Sequence, residues 1–236
     1  MANNKKNTKQ ANSSSKFTFW VIGLVAVCIL GFIFLGNHQK QQQSSKSVAK
    51  QKIDYANEPY LGKASAPVSI IEFGDYKCPN CKNFGQNVVP VIQKDLIDTG
   101  KAKLYFMNDS FINVDSTRSA KFAEAVYHEL GNDTFWKFHE HLYKKQPSES
   151  KYEKMDVYTE DFLKSTLKEV ASDNDVNKVV KYFDAGKADA AWQKDQNYAN
   201  QLGVTGTPTI FVNGKMFQGT TINDLMTMVN NAAKGK

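Results

Sequence analysis

Two cysteines in the string Cys78-Pro79-Asn80-Cys81 constrain this chain more than any other feature. They follow an apolar run, Val68 to Phe73, and precede a stretch with helical spacing: Phe84, Val88, Val89, Val91, Ile92, Leu96. The pattern predicts a strand, a short turn, and two thiols opening a helix. A thiol at a helix N-terminus faces unpaired backbone N–H donors and the positive end of the helix dipole, and both favour thiolate. Thiolate is the reactive form, so this placement points to redox chemistry. A CxxC string between strand and helix is far more specific than one in isolation. Cys78, at the helix end, is expected to be the exposed attacking thiol. Cys81, one turn inside, is the resolving one. Pro79 lacks an N–H and suits the first helical turn, where none is needed.

The other reading of the pair is half a zinc site, which would need two more ligands. The chain has no second CxxC, and His128, His139 and His141 form no familiar ligand spacing, so no metal is expected there. Asp173, Asp175 and Asn177 match the first positions of a calcium loop, with Asp184 where the closing acid would fall. Lys178 stands where that loop requires glycine, which favours helix capping over metal binding.

The formal charge of +6 suggests nucleic acid only until it is located. Residues 1–52 carry eight lysines and no acid. Subtracting them from thirty basic residues leaves 22 against 24 acidic ones, about −2. The folded part is near neutral without a basic patch, so no nucleic-acid partner is expected.

Phe17 to Leu35 is 19 residues long without a charge. As a helix it would span roughly 28 Å, close to the hydrocarbon thickness of a bilayer. Ser47-Val48-Ala49 resembles a signal-peptidase site but lies more than ten residues downstream. Val27 is too large to precede a lipidated Cys28, which fits a small apolar filler. The segment is therefore expected to be an uncleaved transmembrane signal anchor. Residues 1–16 would be a cytoplasmic arm, 36–52 a flexible tether, and 53–236 a domain outside the cytoplasm held at the cell membrane.

Within that domain, Pro67 to Phe73 and Lys103 to Met107 read as strands and Cys81 to Leu96 as one helix. Thr117 to Tyr143, Glu160 to Ala171, Val176 to Phe183 and Ala188 to Leu202 read as helices. Thr209 to Val212 is a strand closed by an Asn213-Gly214 hairpin turn, and Ile222 to Ala232 is a final amphipathic helix. This order predicts an α/β domain interrupted by a helical insertion. Thr207-Pro208 opens the late strand, where proline fits either a cis bond or an ordinary trans turn. Glu72 interrupts an apolar strand. It is either a buried acid with a raised pKa near the thiols, and so a proton acceptor, or an edge-exposed residue.

The stretch from Ile71 to Cys81 (Ile-Glu-Phe-Gly-Asp-Tyr-Lys-Cys-Pro-Asn-Cys), followed by Gly203-Val204-Thr205-Gly206-Thr207-Pro208-Thr209, resembles the DsbA-like thiol–disulfide oxidoreductases, in particular the membrane-anchored Gram-positive BdbD type. The resemblance covers about residues 53–236. It implies a thioredoxin-like fold with a helical domain inserted at about 115–190. Thr207-Pro208 would be a cis-proline loop that faces the disulfide and binds substrate backbone, and Glu72 the family's buried acid. The implied activity is disulfide formation in reduced or unfolded Cys-containing secreted proteins. No bound cofactor is implied, and a membrane quinone-linked thiol oxidase would act as reoxidising partner. Pro79-Asn80 differs from the Pro-His of the strongest oxidants and the Gly-Pro of thioredoxin, and Thr207 also occurs in isomerase branches. An isomerase or reductase is thus an alternative, as is a tethered binding or chaperone-like module with a static disulfide.

Overall fold

A computed structural model describes residues 53–235. The expected arm, anchor and tether lie outside the described residues. No helix among the described residues is long and apolar enough to cross a membrane.

The frame is a five-stranded sheet in the order β1-β3-β2-β4-β5. Its strands are β1 (Tyr60–Leu61), β2 (Val68–Gly74), β3 (Ala102–Asn108), β4 (Thr209–Val212) and β5 (Lys215–Met216). β2 lies at the centre, parallel to β3 and antiparallel to β4. Both faces of β2 are covered, which is why its sequence is almost continuously apolar. Val68 and Ile70 point into the larger core, with Leu104 and Phe106 of β3 and Ile210 and Val212 of β4. Ile71 and Phe73 point the other way, with Tyr105, Met107 and Phe211. The short β1 carries no sequence signal of its own and is held as an edge by pairing with Tyr105 and Leu104. The β4–β5 hairpin closes through Asn213 and Gly214 at φ 47° and 77°, the left-handed pair that an Asn-Gly turn supplies.

The helix after the thiols is not the single regular one expected. It runs as α1 (Pro79–Asn83), a π-helical turn Phe84–Val88, α2 (Val89–Ile92) and a second π-helical turn Gln93–Ile97. Pro90 removes one backbone donor from the middle of this stretch, and the ladder re-registers on either side of it. Its apolar side, Phe84, Ile92 and Leu96, still packs on the larger core.

Between β3 and β4 comes the helical insertion, α3 (Val114–Lys144), α4 (Glu160–Lys168) and α5 (Asp173–Asp184). α3 breaks at Gly131 (φ 78°, ψ −176°), a left-handed backbone that glycine adopts at little cost. The break redirects the second half so that Phe135, Phe138 and Leu142 reach the core already lined by Phe122 and Val126. The residues that matched a calcium loop begin α5, where the Ser172 hydroxyl accepts from the Asp175 N–H at 3.2 Å as a helix cap. The chain then returns to the frame with α6 (Asp189–Gln201), whose Ala199 joins Leu202 on the opposite sheet face, and α7 (Ile222–Ala233), which places Leu225 and Val229 in the larger core.

A buried polar cluster ties these parts together. Asp195 of α6 accepts from the Asn108 backbone N–H at 2.7 Å, and the Asn108 side chain donates to Glu124 of α3 at 2.6 Å. Nearby, Lys194 pairs with Glu58 at 2.7 Å. Burial pushes both Glu124 and Asp195 upward, so they resist ionisation.

Candidate active site

The turn between β2 and α1, residues 75–78, is held by backbone and side-chain bonds on every side. The Asp75 carboxylate accepts from the N–H groups of Lys77 (2.8 Å), Phe111 (3.0 Å) and Ile112 (3.2 Å). The Asp75 carbonyl accepts from the Cys78 N–H at 2.9 Å and from the Tyr143 hydroxyl at 3.3 Å. The Tyr76 carbonyl accepts from Gln146 (3.0 Å) and the Tyr158 hydroxyl (3.1 Å), while the Tyr76 hydroxyl meets His139 at 3.1 Å. Apart from Lys77 and Cys78 in the turn itself, these partners carry no motif of their own. They come from the insertion and its loops, so sequence reasoning did not find them.

Cys78 takes the N-cap position of α1 with extended backbone, and Pro79 is the first helical residue. Pro79 and Asn80 are exposed, whereas both cysteines, present as free thiols, are buried beneath them. The expectation of an exposed Cys78 is therefore corrected: it is only 5% exposed and Cys81 0%. The reason is the loop before β4, which lies over the turn so that the Cys78 thiol donates to the Thr207 carbonyl at 3.2 Å. The asymmetry between the two sulfurs survives in their acidity. Cys78 is lowered to about 6, first by a hydrogen bond from Cys81, with help from the Thr207 side chain and the N–H groups of Cys81 and Asn80, against the opposing effect of burial. Burial, together with the bond it gives Cys78, pushes Cys81 well above the usual thiol range.

The Thr207–Pro208 peptide is cis. Beside it runs a groove of about 350 Å³ lined by Phe84, Val88, Pro208, Ile210, Phe217 and Leu225. It brings the proline loop, the thiol-bearing helix and α7 onto one surface.

Glu72 lies in the middle of β2, paired across to Phe106 and Ile210, and is 2% exposed. The edge-exposed reading is excluded. Its Oε1 has no hydrogen-bond partner, and burial, with a smaller contribution from Cys78, pushes its pKa up to about 8. Between its ordinary value near 4.5 and about 8, the folded chain holds a proton that the unfolded chain releases. Stability from this site therefore falls as pH rises through that window. Glu72→Gln should gain on the wild type from pH 5 to pH 9 by on the order of 1 kcal/mol or more, read as the slope of the difference in urea midpoints against pH. A flat difference would mean that Glu72 is not held protonated.

A mixed sheet of this topology, with a dithiol opening the helix after its central strand and a cis-proline loop against the first sulfur, defines a thiol–disulfide oxidoreductase of thioredoxin type. A family model described as Thioredoxin matches residues 54–231. The disulfide bond formation protein D of Bacillus subtilis is 34% identical over 203 residues, 84% of this chain and 87% of that protein. A probable disulfide bond formation protein D of Bacillus cereus is 33% identical over 196 residues, 83% of each chain. The crystal structure of oxidised BdbD from Bacillus subtilis superposes with a TM-score of 0.71 at 33% identity, covering 77% of this chain and 96% of that one. Chlamydia trachomatis DsbA, at 20% identity, shares the fold with a TM-score of 0.66 over 79% of this chain and 98% of that one. The chain belongs to the thioredoxin family, in its DsbA-like, BdbD-type group of thiol–disulfide oxidoreductases.

Proposed function

We propose that this chain is a dithiol oxidase that introduces disulfides into reduced or unfolded Cys-containing proteins outside the cytoplasm, with Cys78 and Cys81 as the catalytic pair. The observation that carries this reading is the contrast between an acidic Cys78 and a buried Cys81 that resists ionisation. In the oxidised enzyme a substrate thiolate attacks the Cys78 sulfur and the Cys81 sulfur leaves with the bond's electron pair. Glu72, protonated near neutral pH and near enough to Cys81 to influence its acidity, would supply that sulfur with a proton. The second substrate thiolate then attacks its own mixed-disulfide sulfur and releases Cys78. A leaving thiolate of low pKa departs fastest, which suits Cys78 to this step. The substrate loses two electrons and the enzyme gains them as a dithiol.

Thr207 and Pro208 would bind substrate backbone along the adjoining groove, and the exposed Pro79 and Asn80 would tune the pair from outside. Reoxidation requires a two-electron acceptor, in this reading a quinone-linked thiol oxidase in the membrane. Redox equilibration with glutathione tests the direction. An oxidase should lie well above about −230 mV, whereas a value below about −300 mV would leave a static bridge.

The same reading places Phe17 to Leu35 in the membrane as a signal anchor and residues 36–52 as its tether. A chain shortened to begin just before Ile53, whose side chain is buried, should then unfold cooperatively and keep its oxidase activity. Loss of the cooperative transition in circular dichroism would move the domain boundary.

A further inference from the structure

The residue immediately before Cys78 is a lysine buried to 3% exposure. Its Nζ donates to Asp115 Oδ2 at 3.0 Å, to the Tyr152 carbonyl at 2.5 Å and to the Met155 carbonyl at 2.7 Å, and it lies 5.1 Å from the centre of the Tyr158 ring. Asp115, 0% exposed, also accepts from the N–H groups of Val157 (2.8 Å) and Tyr158 (3.0 Å). A fully buried pair of this kind is a poor source of stability, because removing two charges from water offsets most of their attraction. Its position suggests another use. It joins the redox turn to the start of α3 and to the loop 152–158.

We propose that Lys77 is a positioning residue for the disulfide chemistry: its ion pair with Asp115 clamps the redox turn to the helical insertion while delivering no net charge to Cys78. This rests on the assignment of Cys78 as the reacting sulfur. Each partner keeps polar neighbours of its own if the other is removed. Lys77 retains two carbonyls and an aromatic face, and Asp115 retains two backbone donors. Neighbouring charges are accounted for. Asp75 is engaged by three backbone N–H groups, Asp156 is paired with Arg118 at 2.6 Å, and Glu149 is paired with Lys151 at 2.6 Å. Glu153 lines the small cavity beside Lys77, and burial pushes the Tyr158 hydroxyl further above its ordinary value. On the other side, Cys78 faces Glu72 and Cys81.

Covalent geometry keeps the Lys77 Nζ within about 13 Å of the Cys78 sulfur. At an effective dielectric of about 20, an uncompensated charge at that range moves a thiol by about one pH unit, which screening by salt reduces to roughly half to one. The two halves of the pair act with opposite sign.

The test is the pH profile of iodoacetamide alkylation of Cys78 on the full chain. Asp115→Asn leaves the lysine uncompensated and should lower the midpoint by roughly half to one unit. Lys77→Met leaves the carboxylate and should raise it by a similar amount, and the double variant should return it to within a few tenths of the wild type. A clamp acting only by shape would move both single variants the same way, which overturns the proposal, as would no shift in either. If Lys77→Met does not fold, Asp115→Asn decides alone, a downward shift supporting the proposal and any other result overturning it. The alkylation midpoint does not depend on the direction of catalysis. A reducing potential with opposite-sign shifts would therefore fail the oxidase reading and leave the Lys77 assignment standing.

Discussion

Cys81→Ser should accumulate mixed disulfides with unfolded Cys-containing proteins, and Cys78→Ser should trap at least tenfold less on a non-reducing gel. With its pKa near 6, Cys78 is about nine-tenths thiolate at pH 7, against a few per cent for an ordinary thiol. Serine at position 81 keeps a hydroxyl that donates in place of the thiol hydrogen bond, the largest cause of that acidity, so the attacking sulfur stays reactive. It cannot complete the second displacement, so the mixed disulfide persists. In Cys78→Ser the remaining sulfur is fully buried and well above the usual thiol range. Equal trapping by the two variants would remove the division of labour between the cysteines.

The dithiol form should become more stable relative to the disulfide form as pH rises from 6 to 8. Folding lowers the Cys78 pKa from its ordinary value near 9 to about 6, so the unfolded chain binds this proton more tightly. The resulting stabilisation is complete above the unfolded value, declines as pH falls, and is gone below about 6. At one pH unit above the folded value it amounts to about 1 kcal/mol, and at two units to about 2–3 kcal/mol. The disulfide form has no thiol to ionise and lacks this slope. Terms such as loop entropy in the oxidised state shift the difference without tilting it. In a domain of this size each kcal/mol moves the melting temperature by about 2–4 °C, so paired scans at pH 6, 7 and 8 resolve the trend. Keeping to pH 8 avoids the range in which the buried Cys81 would begin to act in the opposite direction. A pH-independent difference would remove the Cys78 thiolate. An oxidised form that gains with pH would sink the oxidase reading.

Much of this site is legible because its chemistry is local. The thiols, the helix they open and the proline before β4 each carry a short-range signal, and alternation along β2 placed Glu72 on one face. That β2 is central and covered on both sides comes from its pairing with β3 and β4, which no single segment reveals. The supports of the redox turn are less visible still. Lys77 and Asp115 lie 38 residues apart, and Tyr76 and Tyr158 lie 82 apart. A lysine next to a cysteine reads as a solvated charge until a distant carboxylate and two carbonyls are found around it. The burial of Cys78 was missed for the same reason, since the loop that covers it arrives from the far end of the domain. Pro90 and Gly131 were visible as residues, but their effects, a re-registered helix and a redirected one, depend on the cores those segments must reach.

The contact between the Cys78 sulfur and the Thr207 carbonyl spans 129 residues, and the pairing of β2 with β4 closes the same long loop. Bringing such distant segments together costs chain entropy that only the packed sheet and insertion offset. During synthesis the thiol pair emerges well before the loop, β4 and α7 exist. Until they arrive, the sulfurs lack the Thr207 side chain and the covered position that shape their acidity. The finished domain thus covers a sulfur that stands open in the nascent chain, so the segment made late decides which partners can reach the pair made early.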